Sequence, residues 1–192
     1  MSGRRLLHGK WTIIQVMAVL AVLVGSVIWA RSTQAVAPAT PGSGVVGVMV
    51  ANGALPEPVN VKMKIDKGLG GVLENSNTTI DVTRIQTWII TVAPGGTTGW
   101  HMHPGPHLIV VAQGTLTYYR GNDPTCTGVQ YPAGTTVFDP GFTVHLARNN
   151  GTVPVVNYVT QLLSADMLPF RMDVPAPGNP DCPLSLQGWP TP

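Results

Sequence analysis

Residues 95–114 read GGTTGWHMHPGPHLIVVAQG and contain three of the five histidines of the protein. Alternate residues of a strand lie on the same face, so His101 and His103 are predicted to point the same way. The Pro-Gly-Pro sequence at 104–106 predicts a turn, and His107 begins the next apolar run. The stretch therefore predicts two successive strands whose histidines lie close together.

A second stretch, residues 134–149, reads GTTVFDPGFTVHLARN and contributes His145. A lone histidine is most often an ordinary core or surface residue, but that interpretation is poor for four of five histidines in two short stretches. Neutral imidazole is the commonest side-chain metal ligand. The two stretches therefore predict a site for one divalent metal ion, with the candidate ligands His101, His103, His107 and His145.

The two stretches resemble the two signature motifs of the cupin superfamily. The first family motif is Gly, five residues, His-x-His, three or four residues, Glu, six residues and Gly, and the residues that match it are Gly95, His101, His103 and Gly114. The second is Gly, five residues, Pro-x-Gly, two residues, His, three residues and Asn, and the residues that match it are Gly134, Pro140, His145 and Asn149. Phe142 takes the place of the second Gly of that motif, next to Gly141. The resemblance implies an all-β fold, the cupin double-stranded β-helix or jelly-roll barrel.

His107 stands where the family usually has Glu, which resembles the four-histidine minority of small cupins. The resemblance implies His101, His103 and His145 as ligands, and His107 as either a fourth ligand or a neutral group beside them. It favours manganese or iron as the ion. Nickel, copper and zinc stay open, because imidazoles accept all of these metals. Four neutral ligands and no carboxylate would leave the ion its full double positive charge, which attracts anionic or enolate-like ligands.

The composition is that of a turn-rich β protein. Charged residues are 10% of the chain, with 22 glycines and 18 prolines. Beyond Arg31, seven basic residues face nine acidic ones, so this part carries a net charge of about −2. No basic patch remains, and nucleic-acid binding is excluded. The motif glycines are expected to be turn residues that shape the strand ends.

The N-terminal segment predicts one transmembrane or signal helix within residues 1–30. Residues 11–30 form an apolar run long enough, at ~1.5 Å per residue, to cross a ~30 Å hydrocarbon core. Arg4, Arg5 and Lys10 place the N-terminus in the cytoplasm, so the rest of the chain is expected to be extracytoplasmic. The chain is then either anchored to the membrane by an uncleaved helix or secreted after cleavage near Ala35. The length of the apolar run favours the anchor.

The chain beyond this helix is divided by composition. We expect a flexible linker over 31–45, a barrel over 46–163 and a Pro-rich tail over 164–192, extended and either wrapped on the barrel or loose. Residues 61–66 alternate as a half-buried strand does. Within the barrel, Trp88 is expected in the core and Tyr119 at the pocket.

Residues 108–112 are apolar on both faces of their predicted strand, so the strand needs cover from outside the barrel. Residues 45–51 could supply that cover, or a second subunit could, which makes a homodimer possible.

The two cysteines, Cys126 and Cys182, both follow the membrane segment. In an oxidising compartment a single pair of cysteines predicts a disulfide, here between the tail and the loop before the second motif. Closing that loop would stabilise the fold by about 4 kcal/mol or less. A thiolate metal ligand is the weaker alternative, because neither residue belongs to a metal-ligand spacing.

Three functions fit a histidine-bound divalent ion. With open coordination positions the protein would be an enzyme, and the cupin resemblance implies a dioxygenase or related oxidoreductase acting on a small enolate-, diketone- or diol-type substrate. Alternatively, it is a non-catalytic module that binds a metal or a small anionic ligand at the cell surface, or a barrel that the metal merely stabilises. Asp139 is the one acidic residue in the motifs, and its place before Pro140 predicts a turn cap.

Overall fold

A computed structural model of the protein describes residues 39–65, 76–165 and 170–177. All the regular secondary structure in these residues is β-strand, which confirms the all-β prediction. Within these ranges no helix is long and apolar enough to cross a membrane. Three parts of the chain lie outside the described residues: the predicted helix within 1–30, Cys182 and most of the tail. The membrane anchor, the extracytoplasmic location and the disulfide therefore stay predictions.

Ten strands follow one another along the described part of the chain. They are β1 Ser43–Ile65, β2 Ser76–Thr97, β3 His101–Met102, β4 His107–Gln113, β5 Thr115–Arg120, β6 Val129–Pro132, β7 Thr136–Asp139, β8 His145–Arg148, β9 Val155–Leu163 and β10 Met172–Asp173. At the end of β1 the predicted alternation is present, since Lys62 and Lys64 are exposed while their neighbours are partly buried. Gly114 and Gly134 lie between strands with φ angles of 75° and 87°, which confirms them as turn residues. Gly95 also has a φ of 75° but lies inside β2, where the pairing with β1 is irregular, so it is not a turn residue.

The ten strands form one sheet, with the order β10-β3-β8-β2-β9-β4-β7, β1 added beside β2, and β5 between β8 and β6. Neighbouring strands are antiparallel, and the sheet curls into a nearly closed barrel consistent with the cupin fold. The apolar core lies inside it, where Val92, Val111, Leu116 and Val155 are almost fully buried. Strands β3, β4 and β8 begin at one end of this barrel, and their first residues are three of the four motif histidines, His101, His107 and His145.

The outer face of β4 has no cover from residues 45–51. These residues pair with β2 and extend the same sheet, so they do not lie over β4, and that part of the expectation is wrong. Val110 of β4 is 44% exposed and Phe138 of the neighbouring β7 is 52% exposed. The homodimer that could cover this face stays a prediction.

The part of the Pro-rich tail that is described, residues 170–177, packs on the barrel. Strand β10 pairs with β3, so that Asp173 lies opposite His101. The Val174 N–H donates to the Trp100 carbonyl, and the Val174 carbonyl accepts from the Thr40 N–H. We refer to residues 170–177 as the C-terminal strap, because they run along β3, the strand that begins with His101.

Candidate metal centre

The four motif histidines converge at one end of the barrel. His101 on β3 and His145 on β8 are cross-strand partners, His103 follows β3, and His107 is the first residue of β4. The predicted turn over 104–106 connects the last two. All four side chains are at most 7% exposed. The structure thus brings together every histidine that the two motifs predicted.

The same hydrogen-bond pattern fixes all four imidazole rings. Each Nδ1 lies 2.8–2.9 Å from a backbone carbonyl oxygen, and the acceptors are Gly99, Phe170, Gly105 and Thr143 for His101, His103, His107 and His145. A carbonyl oxygen can only accept, so each Nδ1 carries the proton and each Nε2 keeps its lone pair. Such carbonyl partners orient histidine rings for metal binding.

Three of the histidines form one possible ligand group. His101, His103 and His145 each offer a ring nitrogen, and these atoms lie within 4.8 Å of one another. Their ring centroids are 4.2 to 5.2 Å apart. At that spacing one ion can contact three imidazoles. The geometry is compatible with the three ligands that the cupin resemblance implies.

His107 lies next to this group, with its ring centroid 3.7 Å from that of His103. Its Nε2 is buried and has no hydrogen-bond partner in the described part of the chain. A buried lone pair left unsatisfied costs about 1–3 kcal/mol, and a cation at this position would remove that cost. The chemistry and the geometry of the four residues therefore fit a divalent ion.

The structure corrects the expectation of a centre without a carboxylate. Asp139 is fully buried on β7, directly across from His107 on β4, and with His103 and His107 it forms a second possible ligand group. Its Oδ1 accepts from the Gly141 N–H at 3.0 Å, which confirms the predicted turn cap. Its Oδ2 lies 3.6 Å from Nδ1 of His145. A negative charge is therefore present beside the histidines.

Burial keeps the imidazoles neutral. Loss of hydration, with the neighbouring His145, lowers the pKa of His103 to about 4. Burial likewise lowers the pKa of His145 to about 4. The pKa values of His101 and His107 are also lowered, again chiefly by burial. At neutral pH all four rings are therefore neutral, with a proton on Nδ1 and a free lone pair on Nε2, which is the state that metal binding needs.

The turns around the centre are tight. Gly141 has a φ of 82°, and a Cβ there would lie 2.8 Å from the backbone of Gly105, so the two histidine-bearing turns approach closely. Phe142 also has a positive φ, 53°, where the family motif has Gly. Asn149 of the second motif is fully buried and donates to the carbonyls of Val92 and Val153, which anchors the chain after β8.

A cavity of about 370 Å³ lies beside the histidines, inside the barrel. Its wall is mostly apolar and includes Trp88, which is partly buried and stacks on Phe170 of the C-terminal strap at 5.5 Å. Trp88 is therefore a wall residue rather than ordinary core. Tyr118 lines the cavity and stacks on His145, whereas Tyr119, expected at the pocket, packs against the cluster around Trp100.

Other polar residues of the site were not predicted. Arg171 of the C-terminal strap lines the cavity, donates to the Thr98 carbonyl and pairs with Asp173. A Pro-rich segment carries no periodicity that would have placed it there. Asn157 and Gln161 of β9 also line the cavity. Both could have been noticed in the sequence, because they are polar residues at the alternate positions of 155–163 that are otherwise apolar.

Comparisons with known proteins agree with the motifs. Residues 88–160, which include all four histidines, match the cupin domain family. No curated protein matches the chain. A DMSP lyase structure is 22% identical over 46% of this chain and 43% of its own, with a TM-score of 0.40. An oxalate oxidase is 25% identical over 41% of each chain, with a TM-score of 0.37.

A cupin 2 conserved barrel domain protein from Salinispora arenicola CNS-205 is also similar. It is 21% identical over 42% of this chain and 65% of its own, with a TM-score of 0.38. The chain thus spans less than half the length of the DMSP lyase and oxalate oxidase chains.

Proposed function

The chain carries a cupin domain over residues 88–160, and from this premise we propose that it is a metal-dependent oxidoreductase, of dioxygenase type, acting on a small enolate-, diketone- or diol-type substrate. One observation carries the proposal: four buried imidazoles hold their Nε2 lone pairs beside a cavity large enough for a small molecule. The rings are oriented in advance by backbone carbonyls, so little reorganisation is needed to hold an ion.

In this proposal His101, His103 and His145 hold the ion, with His107 as the fourth ligand. When bound, the ion supplies Lewis acidity toward a substrate oxygen. Manganese or iron is proposed first, and nickel, copper and zinc stay open. The carboxylate of Asp139, within 4.8 Å of ring nitrogens of His103 and His107, would offset part of the positive charge, which favours a divalent cation in a buried place.

The cavity wall supports a small substrate with an apolar part. Ile90, Val92, Leu116 and Val159 line it, so a bound molecule would exchange water for apolar side chains. Exclusion of water strengthens electrostatic interactions at the histidine end of the cavity. The proposed setting is extracytoplasmic, attached by the N-terminal helix or released from it, and this part of the proposal depends on the sequence alone.

A non-catalytic module that binds a metal or a small anionic ligand at the cell surface is the alternative. It is favoured by the hydrogen bonds and ion pairs that engage two carboxylates of the site, Asp139 and Asp173. Asp139 accepts from Gly141, and Asp173 pairs with Arg171. Neither is positioned as a general base with a free approach to a substrate proton, and a binding module needs no such base.

The test is elemental analysis of the full chain, purified in mild detergent without a histidine tag. We expect about one equivalent of manganese or iron. The His101→Ala/His145→Ala variant should lose the metal, while His8→Ala, which changes the one histidine outside both motifs, should keep it. Oxygen uptake with diketones and catechols then separates the two functions. Metal without uptake supports the binding module, and no metal after reconstitution with each ion contradicts both.

A further inference from the structure

Two buried amide side chains in the barrel interior lack the partners that such groups normally have. Asn157 and Gln161 are 3% and 4% exposed, and both line the cavity. Among the described residues, Oδ1 of Asn157 and Oε1 of Gln161 have no hydrogen-bond partner. Buried polar atoms are almost always hydrogen-bonded, and an unsatisfied one costs about 1–3 kcal/mol. Two such costs on one strand require an explanation.

Packing alone does not call for amides at these positions. The inward side of β9 alternates Val155, Asn157, Val159, Gln161 and Leu163, and apolar residues would fill the two amide positions without loss. The apolar neighbours of Asn157 across the sheet are Ile90 and Val111. An amide in such surroundings is useful when a ligand completes its hydrogen bonds.

The two amides lie at different distances from the candidate metal centre. Gln161 is the cross-strand partner of His107, so it belongs to the histidine end of the cavity. Asn157 is four residues away on the same strand, which is roughly 13 Å along β9. One molecule that reaches both amides therefore carries two polar groups separated by an apolar part.

We propose that Asn157 and Gln161 determine substrate specificity by binding hydroxyl groups of an elongated, uncharged molecule whose chelating head lies at the histidines. The inference rests on the proposed function. The unpaired carbonyl oxygen of each amide needs a hydrogen-bond donor, and a hydroxyl group supplies one without bringing a charge into the cavity. Gln161 binds the head beside His107, and Asn157 binds a hydroxyl at the far end of the apolar part.

The experiment compares two catechols of equal length, butylcatechol and hydroxypropylcatechol, by calorimetry on the manganese-loaded full chain. We expect the hydroxyl-bearing probe to bind roughly tenfold more tightly, because it satisfies Asn157 where a methyl group leaves it unpaired. Asn157→Leu should remove or invert this preference. Tyr158→Phe, a change on the outward side of the same strand, should keep it.

Three further readouts keep the proposal falsifiable. Metal content should be unchanged in Asn157→Leu, so a loss of selectivity is distinguishable from failure of the metal site. Gln161→Met should weaken both probes alike, and it serves as an independent test if Asn157→Leu does not fold. In metal-free protein Asn157→Leu should raise the melting temperature, since a buried unsatisfied oxygen is removed. Equal affinity of the two probes in the unsubstituted protein would mean that the amides hold only water, and would overturn the proposal.

Discussion

His103 is the residue at which the two possible ligand groups meet. It belongs to the group with His101 and His145 and also to the group with His107 and Asp139. The first group consists of neutral rings, and the second adds the carboxylate. The charge on Asp139 is therefore coupled to the affinity of the whole centre through a histidine that both groups share.

Asp139→Asn is predicted to lower metal affinity by about 10–100-fold while leaving the barrel folded. Asparagine keeps an oxygen that can accept from the Gly141 N–H, so the turn survives and the negative charge alone is lost. Competition with a chelator measures the affinity, and Asp81→Asn, an exposed carboxylate on β2, is the matched control. Equal affinity in both variants would show that Asp139 is a turn cap and nothing more.

For individual residues, the sequence was most informative where the site depends on the spacing of side chains along the chain. The His-x-His pair and the downstream histidine fall at fixed intervals, and the three form one of the two possible ligand groups. Asp139 was placed correctly in its turn, but its position across from His107 depends on how β4 and β7 pair. A motif that allows any residue at that position does not contain this register.

At the scale of elements, the C-terminal strap connects the tail to the metal centre. It supplies the Phe170 carbonyl that accepts from Nδ1 of His103, whereas the other three histidines use a carbonyl two residues earlier in the chain. The ring of His103 is thus the one whose orientation depends on a distant segment. Loss of the strap should affect the metal site before it affects the barrel.

Val174→Pro is predicted to detach the strap, because proline has no N–H to donate to the Trp100 carbonyl. We expect a loss of about 1–2 kcal/mol in the free energy of unfolding and a weaker metal site. Val174→Ala keeps the N–H and is the control. Urea unfolding and chelator competition give the two values, and a variant with reduced stability but full metal affinity would contradict the role assigned to Phe170.

Elements differed in how much of them could be read in advance. The alternation in β1 and the glycine turns were predicted, because local patterns determine them. For residues 170–177 the sequence left open whether they pack on the barrel or are loose, since the hydrogen bonds that decide this are made with residues 40 and 98–103, far away in the chain. The amides of β9 could have been predicted, because they are the polar residues among the alternate, otherwise apolar positions of that strand.

At the scale of the whole molecule, four neutral buried histidines make stability depend on pH. The folded pKa of His103 and His145 is about 4, against 6.5 in the unfolded chain. Between these values the unfolded state binds more protons, so lowering the pH favours unfolding. The stability of metal-free protein should be complete above about pH 6.5 and fall progressively toward about pH 4.

Urea unfolding of metal-free protein at a series of pH values measures this effect. A His103→Gln/His145→Gln variant should have a shallower pH dependence over the same range, because its side chains do not titrate there. A dependence as steep in the variant as in the unsubstituted protein would assign the effect to other groups.

The C-terminal strap also affects when, during synthesis of the chain, the metal site is complete. Nδ1 of His103 has its acceptor at Phe170, which leaves the ribosome 67 residues later than the histidine itself. A nascent chain that has already made every strand up to β9 still has a His103 ring that is free to exchange its proton between the two nitrogens. Full metal affinity is therefore expected only after residue 170 has been made, and a barrel released from synthesis before that point would hold its metal more weakly.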